Sequence, residues 1–68
     1  MKIFSERLKE LRIEKKLTQK QLAIILNTTN SSVCDWECDR SEPDMETLVK
    51  ISDYFEVSAD FLLGKKND

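Results

Sequence analysis

Apolar residues recur three and four positions apart in five short blocks, and a polar capping residue stands ahead of each block; that period is helical. Ser5 is placed to cap a first helix that turns Leu8, Leu11 and Ile13 inward. This helix ends near Lys15 and Lys16, whose charges suit the negative end of the helix dipole. Thr18 and Gln21 form a T-x-x-Q capping box, so a second helix begins at Thr18 and carries Leu22, Ala23 and Leu26 on one face. Asn27 ends it, because Asn tolerates the left-handed backbone of a sharp turn, although Gly adopts it more cheaply. Thr29 caps a third helix with Val33 and Trp36 facing inward and Asn30, Ser31, Cys34 and Asp35 facing out. Pro43 stops any continuation. Asp44 caps a fourth helix with Leu48, Val49, Ile51, Tyr54 and Phe55 as its apolar set. Ser58 opens a short fifth, with Phe61, Leu62 and Leu63 ahead of Gly64 at the C-terminal cap, and Lys65 to Asp68 read as a frayed tail. The pattern therefore predicts an all-α domain over residues 1–64 and a tail over 65–68.

Two short helices joined by a tight polar turn, from Leu17 to Pro43, have the layout of a helix-turn-helix, whose second helix enters the DNA major groove. Ala23 is small enough to let a second helix cross close by. Four segments sharpen the reading: L-T-Q-x-x-L-A from Leu17, the Trp36-Glu37 pair, S-E-P-D-x-E-T-L from Ser41, and V-S-x-D-x-L-L-G from Val57. In this order and spacing, over roughly Phe4 to Gly64, the chain resembles the phage repressor and Cro-like helix-turn-helix proteins, the XRE-like family of bacterial regulators. The resemblance implies a five-helix, lambda-repressor-like domain that binds specific double-stranded DNA.

It also implies roles for particular residues. Gln19 matches a position that bonds a DNA phosphate and braces the recognition helix. Asn30 and Ser31 match positions that reach base edges, and Asn bonds adenine bidentately through N6 and N7. Thr29 and Ser32 match phosphate or capping residues; any helix start selects these side chains, so composition alone does not separate the two roles. Two readings stay open for Asp35: a selective acceptor from a cytosine N4, or a repulsive carboxylate that weakens binding. Arg40 and Lys9 are candidate phosphate contacts. Arg12 and Glu37 match a structural salt bridge between the first helix and the end of the recognition helix, while Trp36 and Tyr54 read as core anchors. Val57, Phe61, Leu62 and Leu63 lie where similar proteins form two-fold dimers. The adjacent Ile24 and Ile25 offer a competing apolar patch.

Charge complicates this reading. The 68 residues carry a net charge of −2, and the pI is near 5.1, whereas DNA-binding domains are usually basic. The charge is unevenly spread: residues 1–20 sum to +4 and residues 21–64 to −7. A locally positive face and helix N-termini still suffice for phosphate contacts. A protein-interaction module on the same fold, antitoxin- or adaptor-like with weak DNA affinity, is the alternative that the acidic balance favours.

Other classes find little support. With no His in the chain, Cys34 and Cys38 cannot complete a four-ligand zinc site from one protomer, so no metal or cofactor is expected. The plain reading of this thiol pair is two small side chains in a reducing compartment, with a redox switch as the minor alternative. No nucleophile stands with a base and no Gly-rich phosphate loop is present, so enzymatic chemistry and a small-molecule ligand are not expected. Met1 to Ser5 run directly into charges, leaving no apolar stretch for a signal peptide or membrane span. The expectation is a cytoplasmic, sequence-specific transcription regulator, a repressor acting as a homodimer on a palindromic operator.

Overall fold

The computed structural model describes residues 2–65, and local sequence rules account for most of its helix boundaries. Five helices follow in order: α1 (Lys2–Glu14), α2 (Gln19–Ile25), α3 (Asn30–Glu37), α4 (Met45–Phe55) and α5 (Ala59–Leu62), with no strand among the described residues. Thr18, Thr29, Asp44 and Ser58 stand at the N-caps of α2 to α5, each accepting a backbone N–H from three residues ahead. At Asp44 the hydroxyl and backbone N–H of Thr47 both favour the carboxylate and hold its pKa below the ordinary value.

The ends of the helices obey an equally local rule. Each closes with one residue in the left-handed region, successively Lys16, Asn27, Asp39, Glu56 and Gly64. Paired backbone bonds satisfy the last carbonyls; at α2 these are Asn27 N–H to Ile24 O and Thr28 N–H to Ala23 O. Only the last position holds glycine, and there glycine relieves strain in two ways. Its φ is +87°, and a Cβ would lie 3.0 Å from the Ile3 side chain of α1.

The core is built from every helix. Phe4 and Leu8 of α1, Leu22 and Ala23 of α2, Val33 and Trp36 of α3, Ile51 and Phe55 of α4 and Leu62 of α5 are all buried, together with Leu26. Leu11, Leu17, Leu48, Tyr54, Val57 and Phe61 pack around them. α2 and α3 lie against each other, α1 supports α3 and α5, and α4 supports α5. Arg7 fastens α1 to α5: its guanidinium sits 4.3 Å from the Phe61 ring centroid, and it donates to the Phe61 carbonyl.

Several expectations are corrected. Ser5 does not cap α1, which already begins at Lys2. It is buried inside the helix and donates its hydroxyl to the Trp36 carbonyl at 2.5 Å, so a residue type suited to capping instead satisfies a carbonyl near the end of α3. Ile13 and Val49 face solvent, at 56% and 54% exposure, because they fall off the inward stripes of their helices. Leu62 is fully buried and has no surface to offer a second chain. Lys65, read as part of a frayed tail, donates its backbone N–H to Asp60 O at 2.8 Å. Met1 and the tail residues 66–68 lie outside the described residues.

Candidate nucleic-acid interface

The surface carried by α2, α3 and their turn is built by caps before any long-range contact acts. At the start of α2 the box is reciprocal: Gln21 N–H donates to Thr18 Oγ1 at 3.0 Å, and Thr18 N–H to Gln21 Oε1 at 2.8 Å. At Asn27 the φ of +57° turns the chain out of α2. Thr29 then starts α3, its Oγ1 accepting from Ser32 N–H at 3.1 Å while its hydroxyl meets Ser32 Oγ at 3.0 Å. Thr29 and Ser32 are thus engaged with each other as a cap.

Asn30 and Ser31 differ from them. Both are exposed in the first turn of α3, and their side chains make no hydrogen bond among the described residues. Their polar groups are therefore available to an external partner at the end of a helix where unpaired N–H groups favour anions.

The opposite end of α3 is held tightly. Arg12 Nε donates to Glu37 Oε2 at 2.7 Å and Arg12 Nη2 to Oε1 at 3.0 Å, a bidentate pair across α1 and α3. The two side chains retain only 13% and 2% exposure. Gln19 Nε2 donates to Glu37 Oε1 at 3.1 Å, and Arg12 Nη1 reaches the Leu17 carbonyl at 2.7 Å. One carboxylate thereby ties α1, the start of α2 and the end of α3 together. Gln19 spends one N–H on this link and keeps the other, with its carbonyl, for a further partner.

Asp35 and Arg40 lie near each other, Arg40 Nε standing 3.7 Å from Asp35 Oδ1. Both side chains remain substantially exposed, so the pair adds little stability. It does place a cation beside the carboxylate on the outer face of α3. Sequence reasoning missed the Ser5 to Trp36 bond and the Arg40 side chain turning back towards α3. Only the spacing of Asp35 and Arg40, five residues apart across a helix end, hinted at the second.

At Val57 to Leu63 the surface is mixed. Val57, Phe61 and Leu63 are half-buried, and Leu62 is inside. Ile24 and Ile25 are both exposed, at 70% and 40%.

A helix-turn-helix family model matches residues 8–62, most of the chain and all of this surface. The chain belongs to the helix-turn-helix family. It is 45% identical over 60 residues to the HTH-type transcriptional regulator ImmR of Bacillus subtilis (strain 168), covering 88% of this chain and 47% of that protein. It is 43% identical over 61 residues to the HTH-type transcriptional activator BcrR of Enterococcus faecalis, covering 90% of this chain and 30% of the relative. The chain therefore spans half or less of the length of these two regulators. In structure it is similar to the P22 c2 repressor protein, solved in complex with a synthetic operator. The TM-score is 0.86 with 28% sequence identity, covering 93% of this chain and 96% of that one. The five-helix, repressor-like architecture expected from the sequence is thus the observed one. Both relatives are transcriptional regulators. No helix among the described residues is long and apolar enough to cross a membrane.

Proposed function

We propose that this chain is a cytoplasmic, sequence-specific DNA-binding regulator that represses transcription by inserting α3 into the major groove of its operator. The observation that carries this reading is the asymmetry of α3: Asn30 and Ser31 are open at its N-terminal end, and Glu37 is locked at the other. Similarity to a repressor solved on operator DNA supports it. Asn30 and Ser31 contact base edges, with Asp35 as a selective acceptor one turn on. Gln19, Thr29, Ser32 and Arg40 position the domain on phosphates.

A single short reading helix gives little discrimination, so two copies on a palindrome, with reading helices about 34 Å apart, supply the specificity. Val57, Phe61 and Leu63 are the proposed contact between copies, with Ile24 and Ile25 as the competing surface. Sedimentation at micromolar concentration tests this pairing; a monomer that protects a full palindrome non-cooperatively would remove it.

Selection of bound sites from a random DNA pool, followed by a salt titration of the winner, tests the function. An enriched palindrome whose log affinity falls linearly with log salt is expected, with a shallow slope because few cations are available. The acidic balance of residues 21–64 favours a second reading, an interaction module for a partner chain. No enrichment at low salt, or a flat salt response, would select that second reading.

A further inference from the structure

Cys34 and Cys38 lie on the outer side of the last turn of α3, both as free thiols, with their Sγ atoms 3.9 Å apart. Cys38 is exposed and Cys34 half-buried. Arg40 turns back over the pair and brings Nη2 to 3.9 Å from Cys34 Sγ. The two thiols are unequal in this setting. Hydrogen bonding from Arg40, then from Cys34, holds the Cys38 pKa below the ordinary thiol value; the hydrogen bond and charge of Cys38 push that of Cys34 up. Cys38 is the more accessible thiol, Arg40 stands beside the pair, and a second thiol is within reach. That arrangement suits stepwise oxidation.

Backbone geometry determines what closure would do. Residues four apart on a helix hold their Cβ atoms about 5–6 Å apart, whereas a disulfide needs about 3.8 Å. Cys38 must therefore move inward by roughly 2 Å. It is the C-cap of α3, followed by Asp39 at φ +61°, so the yielding segment is the last turn. The bonds at risk are Cys38 N–H to Cys34 O, Asp39 N–H to Trp36 O and Arg40 N–H to Asp35 O. Glu37, which ties three parts of the domain together, sits inside that turn.

We propose that Cys34 and Cys38 form an oxidation site for hydroperoxides, closing to an intrahelical disulfide that loosens the last turn of α3. The Cys38 thiolate attacks the terminal oxygen of the hydroperoxide, the O–O bond breaks, and the departing alkoxide takes a proton from solvent. The sulfur of Cys34 then attacks the Cys38 sulfenic acid. An S–S bond forms, the S–O bond breaks, and hydroxide leaves with the Cys34 proton as water. Two thiols are oxidised, and one hydroperoxide is reduced to an alcohol and water. A lowered operator affinity of the oxidised chain follows, and that consequence rests on the DNA-binding reading above.

Hydrogen peroxide added to the full chain, followed by intact mass under non-reducing conditions and the near-ultraviolet circular dichroism of Trp36, tests the site directly. The expected result is a monomeric product lacking two hydrogens, reversed by dithiothreitol, with a lower melting temperature and a changed Trp36 signal. Cys34→Ser stops at a dimedone-reactive sulfenic acid on Cys38, and Cys38→Ser reacts at least roughly tenfold more slowly. Equal reactivity of the two variants, a disulfide formed only between chains, or an oxidised chain with unchanged melting and Trp36 signal would overturn the proposal. Closure in a chain that binds no DNA would support the thiol site and count against the operator reading alone.

Discussion

The two ends of α3 are built on opposite plans. At the N-terminal end the protein satisfies only what the helix itself demands, through Thr29 and Ser32, and leaves Asn30 and Ser31 open. At the C-terminal end one nearly buried carboxylate is met by Nε and Nη2 along one edge of the Arg12 guanidinium and by Gln19, and the Trp36 carbonyl accepts from Ser5. A helix packed through Val33 and Trp36 and tied at its C-terminal end can present Asn30 and Ser31 at a fixed angle with no hydrogen bond to either side chain. Orientation and recognition are thus assigned to different residues, and substitutions should separate them.

The largest effect belongs to the anchored end. Removing one partner of a buried ion pair leaves the other desolvated, at a cost of about 3–5 kcal/mol. Small domains have on the order of 5–15 kcal/mol in all. Arg12→Ala or Glu37→Ala is therefore expected to lower the melting temperature sharply. Replacing both residues together by apolar side chains should recover part of the loss. An unchanged melting temperature combined with lost DNA binding would transfer Arg12 from the anchor to the phosphate contacts.

The next effect sharpens the division within the site. Asn30→Ala should cost about 1–3 kcal/mol of binding at one base position per half-site and leave other positions as they were. Gln19→Ala should weaken every sequence alike and also lower stability slightly, because Glu37 loses a donor. Identical specificity profiles for the two variants, read by competition with single-base operator changes, would show that the ends of α3 are not functionally distinct.

Legibility in the sequence follows the same physics. The caps at Thr18, Thr29, Asp44 and Ser58 were readable because they depend on atoms three residues apart. Ser5 was misread because its hydroxyl serves a carbonyl 31 residues away, which no local pattern records. Ile13 follows Leu11 by two positions, about 200° around the helix, so the helical period itself argues against its facing inward. In α5 four residues are too few for a period to reveal which side faces in, and Leu62 was assigned to the surface with its neighbours. At the site the Thr29 cap is legible in the sequence, but whether the Ser32 hydroxyl is spent on that cap or left open is not.

Thr29→Ala tests how far the open end depends on its cap. Loss of the hydroxyl leaves the Ser32 N–H without its partner, and the expected destabilisation is about 1 kcal/mol. Fraying of the first turn would also move Asn30 and Ser31, so operator affinity should fall by more than the stability loss predicts. Thr29→Ser should restore both. If Thr29→Ala lowers stability and leaves affinity unchanged, the first turn of α3 is held by something other than its cap.

The smallest effect concerns Asn27, which turns the chain between the two helices. Its φ of +57° costs an ordinary side chain about 1 kcal/mol or more, and Asn less. The hydrogen bonds that close α2 here, Asn27 N–H to Ile24 O and Thr28 N–H to Ala23 O, are backbone bonds and survive any substitution except Pro. Asn27→Gly removes the steric cost but adds freedom to the unfolded chain, so the two changes nearly cancel, to within about 0.5 kcal/mol. Asn27→Ala keeps a Cβ and loses the tolerance of Asn, and should destabilise by about 1 kcal/mol. Chemical denaturation of the two variants distinguishes these outcomes. If the turn acts only through its backbone, Asn27→Gly should bind operator as the parent chain does. A fall in its affinity at unchanged stability would add the exposed Asn27 carboxamide to the open end of α3, extending the recognition surface into the turn.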